Sequence, residues 1–361
     1  MSAPWASRAA QPAAWPFMAG LVLLGLVLAW LGLGVGSTGW QWPQLWPQLW
    51  PSASHLGPGN GGIGGTSGTG EIDLVWALRA PRTLGAGLVG ALLGLSGAVA
   101  QGLFRNPLAE PYLLGSSSGA ALCMVLWLTL GVAVLAPESA SQAVAGAHAL
   151  GLTGAAFVGS LLGVGLTLLL ARGAAHTLRL LLAGVVVGVV LGAFTQLMMV
   201  WSGEAWRLMQ AFMLGNTALL GWPACRVLGV VLALCLPVGM LMARVLDALS
   251  LGEDTARSLG VPLGPTRLVL VGVMALATAA AVAQAGLVAF VGLAAPHLVR
   301  PWVGARHAAL LCGATLMGAV LLMAADVLSR CLIAPQELPV GVLTSVLGGI
   351  YLLVVLYRRS S

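Results

Sequence analysis

The sequence predicts an all-α, polytopic membrane protein with about ten transmembrane helices. Of its 361 residues, 59% are hydrophobic and only 7% are charged, against about 25% in an ordinary soluble domain. A soluble fold has no polar shell to cover that much apolar surface. Apolar runs of the length a bilayer demands, roughly 20 residues each, recur along the whole chain. The 16 basic residues are all arginine. They cluster at the ends of the apolar runs, where membrane orientation places them.

The absence of lysine excludes several chemistries. A phosphate-binding P-loop needs its lysine, and so does a Schiff-base enzyme. If ATP and Mg drive this protein, another chain binds them, and this chain is expected to hold no cofactor and no catalytic residue. The net charge of +6 reads as orientation charge beside a lipid bilayer, not as a nucleic-acid footprint. Cys123, Cys225, Cys235, Cys312 and Cys331 lie in or beside apolar runs without a C-x-x-C pair. They read as small apolar packers, and no metal site is expected.

Residues 1–16 form an N-terminal tail, and residues 17–36 the first span. A signal peptide is the rival reading. The run is longer than a signal core, and no clear A-x-A site follows it. Residues 37–78 change character: Trp42-Pro43-Gln44-Leu45 repeats as Trp46-Pro47-Gln48-Leu49, and eight glycines crowd the fourteen residues from Gly57 to Gly70. Proline every four residues forbids a helix interior, and the rings suit a membrane interface. A loop lying on headgroups is expected there, followed by a flexible linker. Further spans are placed near 84–104, 113–135, 144–171, 180–201, 222–243, 266–284, 286–303, 308–329 and 338–356, with an amphipathic piece at 204–220. With the N-terminus inside, eleven arginines lie near the cytoplasmic side and five (Arg79, Arg82, Arg207, Arg226 and Arg330) lie opposite. That split follows the positive-inside rule and puts both termini in the cytoplasm. Gly184, Gly188 and Gly192 share one helix face, either for close packing or as a smooth wall along a substrate path.

Specific stretches stand out from this background. In Arg79-Ala80-Pro81-Arg82, the proline suits the first turn of a helix. The arginines either anchor that helix in headgroups or receive carboxylates from a docking protein. Asn106-Pro107 is a turn signal, and Glu110 just beyond it is expected to be solvated at the cytoplasmic rim. Ser250-x-x-Glu253 reads as a capping box for a short helix over 251–259, with Gly260 in the left-handed position that ends it. Glu253 and Arg257 are spaced to pair along its surface, beside Asp254. That helix either tidies a connection or docks a cytoplasmic partner. Pro296-His297 at a membrane edge reads as structural, without ligands for a metal. Asp326 and Arg330 are four residues apart near the end of a span and are expected to pair.

In this order, these stretches resemble the permeases of the FecCD family, which serve iron-siderophore, haem and vitamin B12 ABC importers. The resemblance runs from Arg79 to Arg359. It is carried by R-x-P-R at 79–82, N-P-L-A-E-P at 106–111, G-E-D-T-A-R-S-L-G at 252–260, P-H-L-V-R at 296–300, and A-D-V-L-S-R with E-L-P-V-G at 325–330 and 337–341. It implies a BtuC-like type II importer fold over 79–361, with a coupling loop at 247–262. It further implies a multi-pass homodimer in the inner membrane, two ABC ATPase subunits beneath it and a periplasmic substrate-binding protein above. Arg79, Arg82 and Arg330 are then docking residues for the binding protein. Ser250, Glu253, Asp254, Arg257, Leu259 and Gly260 belong to ATPase coupling, and the span at 180–201, with Gly184, Gly188 and Gly192, lines the path. Asn106, Pro107, Pro296, His297 and Asp326 are motif residues. A ferric siderophore is the expected cargo, with cobalamin and haem as alternatives. The rival class is an ion-coupled secondary transporter, which needs coupling-ion ligands near the midplane; the sequence offers few acids there. A membrane enzyme is a weaker rival, for no nucleophile–base pair stands out.

Overall fold

The computed structural model describes residues 14–36, 39–40, 75–131, 142–174, 176–201, 203–304 and 306–360. Each expected span meets a helix. Those described are α1 (Ala14–Gly34), α2 (Ala80–Phe104), α3 (Ser116–Leu126), α4 (Gln142–Leu170), α5 (Thr177–Trp201), α6 (Gly203–Leu214), α7 (Trp222–Leu241), α8 (Ala243–Ser250), α9 (Glu253–Ser258), α10 (Leu263–Ala285), α11 (Val291–Val303), α12 (His307–Cys331) and α13 (Val340–Ser360). Among the described residues, seven helices are long and apolar enough to cross a bilayer. The expected spans at 113–135, 286–303 and 338–356 correspond to α3, α11 and α13. α3 runs on as a π turn from Trp127 to Gly131. The amphipathic piece is α6. The tail at 1–13 and most of the 37–78 loop, including the Trp-Pro repeat and the glycine run, lie outside the described residues. Val35–Gly36 pairs antiparallel with Gly39–Trp40.

α2 is the axis of the bundle. A π turn, Val75–Arg79, leads into it, and Pro81 occupies its first turn, where a missing N–H costs nothing. The most apolar window of α2 is 89% buried, whereas that of α1 is only 17% buried, so α2 is wrapped by protein and α1 lies at the rim. Close approach to α12 rests on Gly90 and Gly318. A Cβ on Gly90 would collide with the Gly318 carbonyl, and one on Gly318 with the Gly90 carbonyl. Small residues let membrane helices meet backbone to backbone. Two polar side chains of α2 find backbone partners inside the bundle: Ser96 donates to the Met274 carbonyl at 3.1 Å and Gln101 to the Leu293 carbonyl at 3.1 Å.

α2 ends where Arg105 turns left-handed, at φ 51°. The Asn106 side chain then accepts the Leu108 N–H at 2.9 Å, the turn expected at Asn106-Pro107. Glu110 departs from expectation. Its carboxylate folds back into the bundle and accepts the backbone N–H of Phe290 at 3.3 Å. Phe290 is the N-cap of α11, and a helix that begins inside the protein needs acceptors for its first amides. Burial of that helix start is the reason Glu110 is not left in water.

Candidate functional site

Two polar clusters stand at opposite ends of α2. Arg82 lies at its first turn and Arg105 at its exit, roughly 35 Å apart by helix rise.

At the first end, Arg82 Nε donates to Asp326 Oδ1 at 3.0 Å, and its NH1 donates to both Glu337 oxygens at 2.8 and 3.0 Å. Asp326 is fully buried. It also accepts the Thr217 hydroxyl at 2.6 Å and the Arg330 guanidinium. The predicted Asp326–Arg330 pair is thus present within a four-charge cluster of zero net charge. Arg330 donates onward to the Gly32 carbonyl at 2.9 Å, the Val35 carbonyl at 3.2 Å and the Thr83 hydroxyl at 3.4 Å. Arg79 donates to the Leu33 carbonyl at 3.3 Å. Gly32 and Leu33 lie in the last turn of α1, which carries no basic residue of its own. Such a turn leaves carbonyls without partners, and two arginines from elsewhere supply them.

This geometry revises one expectation. The Arg330 side chain is 2% exposed and committed to partners within the chain, so it serves as a bolt between α12 and α1 rather than as a docking residue. Arg82, 12% exposed beside a Glu337 that is 27% exposed, and the half-buried Arg79 face the rim.

At the second end, α9 is shorter than expected and begins differently. Ser250 ends α8, and its hydroxyl donates to the Asp247 carbonyl at 2.6 Å. The N-cap is Gly252, at φ 114° and without a side-chain cap. The capping box is therefore absent: the left-handed turn at Gly252 separates Ser250 from α9, and the Glu253 carboxylate is engaged elsewhere. Glu253 Oε1 accepts Arg267 NH2 at 2.6 Å and the Thr177 hydroxyl at 3.3 Å, with Arg105 NH2 at 3.7 Å. Its second oxygen lies 3.7 Å from Arg257, the predicted pair. The Arg267 hydrogen bond holds the Glu253 carboxyl below its ordinary range, against a smaller opposing effect of burial. Ala256 is fully buried under α9, whereas Asp254, Arg257, Leu259 and Leu251 are exposed. Asp254 and Arg257 pair across that outward side at 2.8 Å. Gly260 has φ 80°, the left-handed position read from the sequence. Nearby, Asp247 accepts both the backbone N–H of His307 at 2.9 Å and its ring nitrogen at 2.7 Å, fixing the start of α12 on α8.

The glycine row of α5 divides. Gly184 is buried, and a Cβ there would collide with the Leu113 carbonyl, so it is a packing glycine and not part of a wall. Gly188 faces the Ser118 hydroxyl, and Gly192 faces open space. Pro296 is buried in α11, and His297 meets Tyr351 edge-on with ring centroids 5.8 Å apart.

Sequence reasoning missed Thr83, Thr177, Thr217, Arg105, Arg267 and Glu337 as members of these clusters. Arg82 reaches Asp326 and Glu337 across 244 and 255 residues, a pairing that no local spacing announces.

Comparisons with known proteins agree with this architecture. The model of the FecCD transport family matches residues 22–358. The hemin transport system permease HmuU of Yersinia pestis is 41% identical over 300 residues, covering 81% of this chain and 86% of that protein. The vitamin B12 import permease BtuC of Salmonella paratyphi A is 38% identical over 283 residues, covering 78% of this chain and 82% of that protein. Among solved structures, a metal-chelate type ABC transporter in an inward-facing conformation superposes with a TM-score of 0.78 at 28% identity, over 95% of this chain and 99% of that one. With α2 at its core and a polar cluster at either end of that helix, the chain belongs to the FecCD transport family and is a multi-pass membrane permease of an ABC importer.

Proposed function

We propose that this permease carries a metal chelate inward, with haem the first cargo to test, as a homodimer powered by two partner ATPase subunits and fed by a binding protein on the Arg82 side. The observation that carries the cargo assignment is the 41% identity to a hemin permease across 81% of the chain. Cobalamin follows from the BtuC relative. The ferric siderophore expected from the sequence stays open because the solved neighbour is described as metal-chelate type. The outward side of α9 is the surface on which the ATPase grips. Both termini and α9 face the cytoplasm, and Arg79 and Arg82 receive acidic residues of the binding protein. A large chelate needs a wide path that binds it weakly, and the Gly192 region of α5 is open.

The test is reconstitution of the permease with its ATPase and binding protein in liposomes. ATP-dependent accumulation of haem, in preference to cobalamin or a ferric siderophore, is the expected result. Uptake that persists without ATP on an imposed proton or sodium gradient would overturn the ATP-driven reading in favour of a secondary transporter. Preference for another chelate would overturn the cargo alone.

A further inference from the structure

We infer that Glu253 is the positioning residue that transmits the movement of α9 into the spanning helices, and that it does so from the side of α9 facing away from the partner. The inference rests on the reading that an ATPase grips α9. One carboxylate gathers the ends of four elements. It sits on the first residue of α9, accepts Arg267 from the first turns of α10 and Thr177 from the first residue of α5, and lies beside Arg105 at the exit of α2. Arg267 is almost wholly buried while Glu253 is 26% exposed, so the guanidinium end of the tie is held inside the protein and the carboxylate stands at its edge. The other charged residues of α9 point outward: Asp254 is 98% exposed and Arg257 is 55% exposed.

The short helix therefore has a gripping side and a transmitting side. α9 alone has little to hold it, with Ala256 its single buried side chain. A displacement of α9 reaches α10 through the 2.6 Å Arg267 bond, which is charge-assisted, short and directional, and reaches α5 through the longer 3.3 Å Thr177 bond. α2 receives the looser contact through Arg105. That helix also carries Arg82 at its far end, so the same carboxylate stands at the foot of the helix whose head forms the other polar cluster.

The experiment uses the full chain in liposomes with ATPase and binding protein. Glu253→Gln keeps the shape and removes the charge. Assembly with the ATPase and the rate of ATP hydrolysis should stay within about twofold of the unaltered protein, while cargo moved per ATP should fall about tenfold, a coupling energy in the range typical of linked sites. A second readout separates transmission from general support. Spin labels at Ser258→Cys and Leu178→Cys, with exposed Cys331 replaced by serine, report the α9–α5 distance with and without nucleotide. In the unaltered background the two labels should move together. In Glu253→Gln the distance between them should change on nucleotide binding. Should Glu253→Gln prevent folding, Thr177→Val removes only the tie to α5 and should lower cargo per ATP by a smaller factor with the fold kept. Loss of ATPase assembly in a folded Glu253→Gln would show that Glu253 faces the partner and would overturn the inference. An unchanged cargo-to-ATP ratio in the folded variants would also overturn it, leaving the importer reading standing. Failure of the unaltered chain to respond to the ATPase would instead sink the importer reading itself.

Discussion

Replacing Asp326 with alanine removes a fully buried carboxylate that accepts Arg82, Arg330 and Thr217. Deleting one partner of a buried ion pair costs about 3–5 kcal/mol, because the other charge is left uncompensated. The buried Thr217 hydroxyl loses its acceptor as well, which adds about 1 kcal/mol. The expected loss is therefore about 4–6 kcal/mol, held toward the lower figure because Arg330 keeps the Gly32 and Val35 carbonyls. Glu337→Gln is the internal comparison. Glu337 also bonds Arg82, but it is 27% exposed and water competes for its place, so that change should cost only about 1 kcal/mol. A third variant, Asp326→Leu with Arg330→Met, removes both charges and should cost less than Asp326→Ala alone, because an apolar pair leaves no stranded cation. Denaturation midpoints in detergent, followed by the fluorescence of the 13 tryptophans, give the ranking. If Asp326→Ala falls within about 1 kcal/mol of the unaltered protein, or matches Glu337→Gln, burial does not govern this cluster and the reasoning fails.

Further expectations concern the packing and the other end of the bundle. Gly90→Val should destabilise the protein by at least about 1–3 kcal/mol, since the Gly318 backbone cannot retreat, whereas Gly192→Ala should leave the same denaturation midpoint nearly unchanged because its surroundings are open. Glu253 titrates below the ordinary value of 4.5, so its ties are fully present above that pH and are lost as pH falls through its lowered value. Amide exchange over α9, corrected for intrinsic rates, should therefore accelerate only below about pH 4.5. Leu259→Glu or Arg257→Glu should weaken co-purification of the ATPase without moving the denaturation midpoint, as both side chains are exposed. Arg79→Glu should weaken capture of the binding protein while sparing ATPase assembly.

Seven of the predicted spans were legible because bilayer thickness fixes run length, whereas the run 286–303 holds only the 13-residue α11. The left-handed residue Gly260 was legible because glycine after a short helical run is a local signal. Pairings across the fold were not legible. Ser250 and Glu253 have capping-box spacing, yet nothing local shows that Gly252 takes φ 114° and ends the preceding helix first. The Asp326–Arg330 pair was legible from its spacing, but the burial of Arg330 was not, because its further acceptors lie 298 and 295 residues away in the first helix and the turn after it. Glu110 looked solvated because the amide it accepts is 180 residues distant. Local chemistry located each cluster; only the folded chain showed which members satisfy one another.

The tie between Arg330 and the last turn of α1 bears on biosynthesis. α1 precedes the other described helices; Arg79 reaches its Leu33 carbonyl from 46 residues on, and Arg330 reaches its Gly32 carbonyl from 298 residues on. Contacts of such separation form late. During synthesis the Gly32 carbonyl at the end of the first segment therefore faces headgroup water, and it gains its guanidinium only when α12 has been inserted. A nascent chain halted before residue 330 would carry the same early segments with the first of them tethered by Arg79 but lacking the second guanidinium.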